Sequence, residues 1–245
     1  MTESGGAWPY RVRFEEATPD ETVRTSQFLC WFSDCAWRHS MTLGVDRRWY
    51  QERGLFMLIR ATWLEVLRPI PTYAEVTVST RVAGWRRVSA RRESEVRDAA
   101  GELLARGEID WVMTNERGVP CRFPPEFRDR FTGLPDSFEM HRVALPEAPA
   151  DAHEAHFHVR RRDLDPLDHV NNSVYVDYFE EALAQIGRAA LLTTVPRRYT
   201  LDFAGSAGRG DALVGRTWPA QEGWYYSLTR EDGAELLRAR LEVAG

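Results

Sequence analysis

At 245 residues, 43% hydrophobic and 28% charged, the chain has enough apolar mass for one large core or two small ones. Its net charge of −5 argues against nucleic-acid binding, although all 32 basic residues are arginine and several cluster, as in RRVSARR and RRRD. No stretch approaches the roughly 20 apolar residues that span a bilayer, and MTESGGAWPYRVRF lacks the charged and apolar blocks of a leader, so a cytoplasmic protein without membrane insertion is expected.

In chain order, a short strand and a polar loop precede the first long helix, expected from Thr25 to Leu43. Cys30 and Cys35 fall on it; with Cys121 they make an odd set without metal-ligand spacing, which fits a reducing compartment and neither a disulfide framework nor a metal site. YAEVTVSTRVAGW then alternates Ala74, Val76, Val78, Thr80 and Val82 with Glu75, Thr77, Ser79 and Arg81, the pattern of a strand with one buried face. RRVSARRESEVRD and ELLARGEIDWVMT follow with a turn too short for a helical crossover, so they pair antiparallel. Residues 129–153, rich in Pro and charge and without a sustained period, read as a linker between a first unit (10–128) and a second (154–245).

The second unit opens on DLDPLDHVNN, Asp163 to Asn172, before a helix expected from Asn172 to Gly187. Asn171 or Asn172 is a natural N-cap and Gly187 a natural stop. Glu180 and Glu181 lie off its apolar arc and read as a solvated face. Self-comparison aligns TPDETVRTSQFLCWFSDCA with LDPLDHVNNSVYVDYFEEA at an offset of 146, ATWLEVL with RYTLDFA at 137, and ELLARGEIDWV with ELLRARLEVAG at 133. Preserved order favours a duplicated domain. Each copy is then one helix wrapped by an antiparallel sheet, an α+β arrangement.

The chain from about Val12 to Leu241 resembles the hotdog-fold acyl thioesterases, and its tandem layout resembles the acyl-ACP thioesterases of plants and bacteria. The resemblance rests on GLFMLIRATWLEVLRPIPTYAEVTV in the first copy and on D-x-D-x-x-x-H-V-N-N in the second. It implies a double hotdog whose substrate, an acyl carrier protein or coenzyme A thioester, enters at the seam between units, with no cofactor and with a homodimer of such chains as the assembly. Asp165 corresponds to the family's nucleophile or general base and His169 to its motif histidine; Asn171 and Asn172 would position the loop, water and substrate. Asp163 and Asp168 read as loop-setting residues.

Two departures from the plant pattern stand out. Leu167 occupies the place of an asparagine, and Ser206 and Ala207 fall where the plant enzymes have a Glu-Cys pair, which excludes an inherited cysteine nucleophile there. Pro19, Thr22 and Val23 align with Asp165, Asp168 and His169, so one active site per chain is expected, with Phe28, Trp31, Phe32, Trp37 and Phe56 building the acyl pocket. Arg86, Arg87, Arg91, Arg92, Arg197 and Arg198 are candidates for a rim that meets an acidic carrier. Two other functions remain open at this level: a dehydratase or hydratase acting on the acyl chain, and an acyl-carrier binding module without catalysis.

Overall fold

The computed structural model describes residues 5–131, 133–220 and 223–243. Strand β1 (Gly5–Arg11) leads to helix α1 (Thr25–Thr42), short helix α2 (Arg47–Gln51) and strands β2 (Leu55–Val66), β3 (Glu75–Arg86), β4 (Ser89–Arg97) and β5 (Leu103–Asn115). After the four-residue helix α3 (Pro125–Arg128) the plan repeats: β6 (His153–His158), α4 (Val174–Gln185), β7 (Arg197–Phe203), β8 (Ala212–Ala220), β9 (Gly223–Arg230) and β10 (Glu235–Val243). Among the described residues no helix is long and apolar enough to cross a membrane.

The strands form one antiparallel sheet of order β1-β3-β4-β5-β2-β7-β10-β9-β8-β6, which reads the same from either edge once the second repeat's strands are matched to the first's. Its centre is the β2–β7 pairing, Ala61 opposite Asp202 through Val66 opposite Arg197, so the two halves share one continuous hydrogen-bonded surface. The α+β expectation and the duplication both hold. The spacing of the repeats needs correction at both ends. The loops before α1 and α4 superpose at an offset of 147: Thr18 N donates to Thr22 O as Asp165 N donates to His169 O, both at 2.8 Å. The left-handed residues Glu21 (φ 56°) and Asp168 (φ 59°) obey the same spacing. The turns at Gly101 and Gly233 differ by 132. The central strands keep 137, since Leu67 and Ala204 donate equivalently to Leu104 and Leu236.

Both helices stop alike. Val45 N reaches Ser40 O and Arg188 N reaches Leu183 O across glycines of φ 72°, Gly44 and Gly187, as a left-handed C-terminal cap requires. Measured from the matched loops, α1 is four residues longer, one turn or about 6 Å. That extra turn overlies a second apolar cluster, absent from the other repeat's plan, in which Trp49, Trp85, Phe123, Phe127 and Phe131 pack edge to face and tilted.

The helices lie on the inner face of the sheet and cross antiparallel, with Ser26 against Asp177 and Cys30 against Ser173. On the outer face, Glu65 is 1% exposed and binds Arg106 of β5 at 2.7 Å and Arg198 of β7 at 2.5 Å. The connecting segment crosses this face: His141 reaches Glu108 at 2.8 Å and Arg142 reaches Asp202 of β7 at 3.1 Å. Beneath α1 the sheet is in close contact with Phe32: a Cβ on Gly107 would sit 2.6 Å from the Phe32 ring and 2.9 Å from Trp63 O. Gly107→Ala is therefore expected to destabilise the protein by about 1–3 kcal/mol, read as a lowered midpoint in urea unfolding with an unchanged slope.

Candidate active site

The motif forms a closed loop at the head of α4. A 3-10 turn, Arg161–Asp163, delivers the chain, and Asp163 is buried with its Oδ2 accepting from Arg160 N at 2.7 Å and from the Tyr178 hydroxyl at 3.1 Å. Asp163 O also accepts from Asn171 N at 2.8 Å. Asp163 is thus structural, as its place in the motif suggested. Asp165 and His169 sit at the two ends of the five-residue loop, joined through Asp165 N and His169 O. Asp165 is half-buried and His169 exposed. The Asp165 Oδ1 accepts from Leu167 N at 2.8 Å, and Asp168, at the left-handed corner, pairs with Arg209 at 3.3 Å.

Strand pairing steadies this loop from one side. Val170 N donates to Ala207 O at 2.9 Å, His169 bridges Gly208, and the Tyr175 hydroxyl accepts from Ala207 N at 3.0 Å. The segment 206–208 therefore runs beside His169, and its side chains there are Ser206 and Ala207, neither an acid nor a thiol. Asn171 shapes the helix start from two residues further back than an N-cap: its Oδ1 accepts from Ser173 N at 3.0 Å and from the Ser173 hydroxyl at 2.8 Å, and α4 begins at Val174. Asn172 is half-buried beside it. The expected helix was two residues too long at each end, because the first asparagine closes a turn before helical geometry sets in.

Several assignments change in the tertiary structure. Glu180 is no solvated face: it turns inward to accept from the Tyr199 hydroxyl at 2.6 Å and from Thr25, and burial raises its pKa; Glu181 does remain exposed. Pro19, Thr22 and Val23 are not the counterparts of Asp165, Asp168 and His169. Those are Thr18, Glu21 and Thr22, by the hydrogen bonds and φ angles of the two loops. Of the six candidate rim arginines, Arg91 is held by Asp110 at 2.7 Å, Arg198 by Glu65, and Arg92 and Arg197 are buried; Arg86 and Arg87 stay exposed.

The aromatic candidates do not gather at one cavity. Phe28 and Trp31 are packed into the core at 1% and 2% exposure, with ring centroids 5.7 Å apart, and Phe56 points to the outer face of β2. Strand alternation turns its neighbour Met57 inward instead. Met57, Trp37, Tyr50 and Trp111 line a narrow cavity of about 30 Å³ under the end of α1, with Arg92 at its wall. Burial lowers the Arg92 guanidinium to about 10, and its Nη1 and Nη2 lie 3.1 Å from His39 Nδ1 and 3.2 Å from Ser40 Oγ. Cys30, whose pKa is raised by burial, brings a first-repeat side chain to the head of α4, in hydrogen-bond contact with Ser173. Helix pairing brings it there, and no local pattern marks it.

Two family models cover this architecture: the acyl-ACP thioesterase N-terminal domain matches residues 7–131 and the C-terminal domain residues 146–242. The chain belongs to the acyl-ACP thioesterase family. It is 26% identical over 255 residues to a chloroplastic acyl-[acyl-carrier-protein] hydrolase of Cuphea viscosissima, an alignment that covers 95% of this chain and 61% of that one. A chloroplastic palmitoyl-acyl carrier protein thioesterase of Cuphea hookeriana is likewise 26% identical, with 60% of its length covered. The chain thus spans about three fifths of the length of these curated relatives. Among solved structures, an acyl-ACP thioesterase from Bacteroides thetaiotaomicron superposes with a TM-score of 0.84 at 16% identity, covering 100% of both chains. The 12:0-ACP thioesterase from Umbellularia californica superposes at 0.81 and 21% identity, covering 98% of this chain and 97% of that one. These likenesses establish the double hotdog fold of this acyl-ACP thioesterase family member.

Proposed function

We propose that the protein hydrolyses an acyl thioester, carried by an acyl carrier protein or by coenzyme A, to the free acid and the carrier thiol, with Asp165 and His169 as catalytic residues. The observation that carries this reading is the twin loop. The first repeat builds the same turn, with the same hydrogen bonds and left-handed corner, from Thr18 and Thr22. Loop architecture therefore does not need a carboxylate at 165 or an imidazole at 169, and their retention in one copy only argues for chemistry.

In the proposed reaction the thioester carbonyl faces the head of α4, where the positive end of the helix dipole stabilises the developing oxyanion. Asp165 acts as general base on water or as nucleophile on the carbonyl carbon. Collapse of the tetrahedral adduct breaks the C–S bond, and His169 passes to the departing thiolate the proton that Asp165 took from water; on the nucleophilic route water then cleaves the acyl-Asp165 anhydride to free acid and carboxylate, its proton leaving through His169. Asn171 and Asn172 hold the helix head, and the acyl chain runs along α1 from Cys30. The cavity by Ala36 lies six residues further on, about 9 Å along the axis. One chain pairs the two units that this seam requires, so the site needs no second copy.

Free-thiol release from a panel of acyl carrier and coenzyme A thioesters tests the reaction class. A dehydratase or a binding module would leave the thioester intact, and absence of release across the panel would remove the hydrolase reading. Single-turnover hydrolysis in ¹⁸O-water separates the two roles of Asp165, because only a nucleophilic carboxylate acquires the label. His169→Ala is expected to lower kcat by about 10-fold or more with a smaller change in KM, since proton donation to the thiolate is needed in the transition state and not for binding.

A further inference from the structure

The pseudo-twofold that relates the repeats also relates the spaces between them. The motif loop of the second repeat stands against α1, where Cys30 meets Ser173; the loop of the first repeat stands against α4, where Ser26 meets Asp177. At an offset of 147 these are one arrangement seen twice, Ser26 matching Ser173 and Cys30 matching Asp177. Between the first-repeat loop and α4 lies an open cleft of about 850 Å³, with Thr18, Pro19 and Arg24 on one wall and Val174, Asp177 and Tyr178 on the other. Thr18 occupies the place of Asp165 and Arg24 that of Asn171. A threonine hydroxyl is no base at neutral pH, so this cleft stands at the place matching the motif loop without the motif's base.

We propose that this twin cleft binds the phosphopantetheine arm of an acyl thioester without hydrolysing it. The inference rests on the reading of the motif cleft as a thioester site. The lining suits such an arm. Arg160 and Arg162 are exposed cations in the lining that match a phosphate, with the imidazoles of His156 and His158 of β6 beside them; of the carboxylates in the same lining, Asp163 is taken up by Arg160 N and Tyr178, Glu180 by Tyr199 and Glu181 by Gln185. Further in, Phe157 and Tyr178 pack with ring centroids 4.8 Å apart and offer an apolar wall to the methylenes. Asp177 lies between them and Ser26, and burial raises its carboxyl to about 6, so it is available near neutrality both to accept from and, in its acid form, to donate to the amides of the arm. Volume, rim charge and an enclosed carboxyl on one wall are present together in a space that the mechanism above leaves unused.

Calorimetric titration of the whole chain with a non-hydrolysable alkyl thioether of coenzyme A is expected to give two sites per chain. The same thioether on phosphopantetheine alone, without the nucleotide, should also give two, because the rim reads the arm's phosphate. Ala184→Trp, which fills the cleft from its half-exposed rim, should reduce the count to one while leaving melting temperature and thiol release unchanged. A single site in the parent protein with normal turnover would overturn the twin-site proposal and leave the hydrolase reading standing. Two sites that persist in folded Ala184→Trp would place the second elsewhere and also overturn it. Absence of both binding and thiol release would remove the parent reading and this inference with it. Should Ala184→Trp fail to fold, a photoreactive thioether with residue-level mapping decides: labelling of Phe157 or Tyr178 supports the site, and labelling confined to the motif loop refutes it.

Discussion

Replacing Asp165 by asparagine is expected to lower thioester turnover by about 10²- to 10⁴-fold, and by more if the carboxylate is the nucleophile, with the melting temperature within error of the parent. The amide oxygen can still accept the Leu167 N–H that Asp165 Oδ1 now accepts at 2.8 Å, so the turn keeps its side-chain bond. An amide cannot take a proton from water at neutral pH or attack as a carboxylate. The first repeat is the internal control: with Thr18 at this place the loop closes through the same 2.8 Å backbone bond. Asp163→Asn is the contrasting variant. Its carboxylate anchors Arg160 N and the Tyr178 hydroxyl inside the fold, so it should lower stability and spare the chemical step once folded. If Asp165→Asn kept near-normal kcat with an intact fold, the motif would be architectural and the binding-module reading would take first place.

Asp177→Asn is expected to stabilise the protein above about pH 4, with the full effect reached a little above pH 6. Burial is the main reason that the Asp177 carboxyl rises from 3.8 to about 6, with the nearby charges of Glu180 and Asp163 adding to it and Ser26 and Arg24 opposing it. Because the folded state holds this proton more tightly than the unfolded chain, the contribution is fully present below about pH 4, is lost progressively as pH rises through the folded value of about 6, and stays lost above it. At about 1.4 kcal/mol per pH unit the loss reaches an upper bound of about 3 kcal/mol at neutrality. Asparagine stays neutral throughout, so denaturant midpoints of variant and parent should agree near pH 4 and separate by pH 7.5. A variant no more stable than the parent at pH 7.5 would show that Asp177 is charged without penalty in the fold.

Much of the plan was legible from local pattern. Period-2 alternation in residues 74–82 and the helical arc of residues 174–186 depend only on which side chains must face a core, and both elements formed, the helix two residues shorter at each end than expected. The duplication was legible because each repeat solves the same packing problem with the same order of elements. The one-residue error at the head of the helices came from aligning by polarity: polar loop and amphipathic helix still match after a slip of one, and only the paired backbone bonds and the left-handed corners at Glu21 and Asp168 fix the count. The error at Gly101 and Gly233 has the same origin.

By itself the amino-acid order determined that there are two repeats, that one carries Asp165 and His169, and that Gly187 ends its helix, since these follow from residue identity and from backbone sterics acting over a few positions. Tertiary structure alone decided which charges are solvated and what faces the motif. Glu180 sits off the apolar arc of its helix, yet Tyr199 from β7 and Thr25 from the other repeat enclose it. Arg92 carries a full charge on a strand, yet the extra turn of α1 covers it with His39 and Ser40. Cys30 and Asp177 meet the opposite loops because two helices more than 140 residues apart cross antiparallel. A periodicity reports only how a helix faces its own sheet; the partner on its other side comes from the far half of the chain, and that pairing is set by the register of β2 against β7.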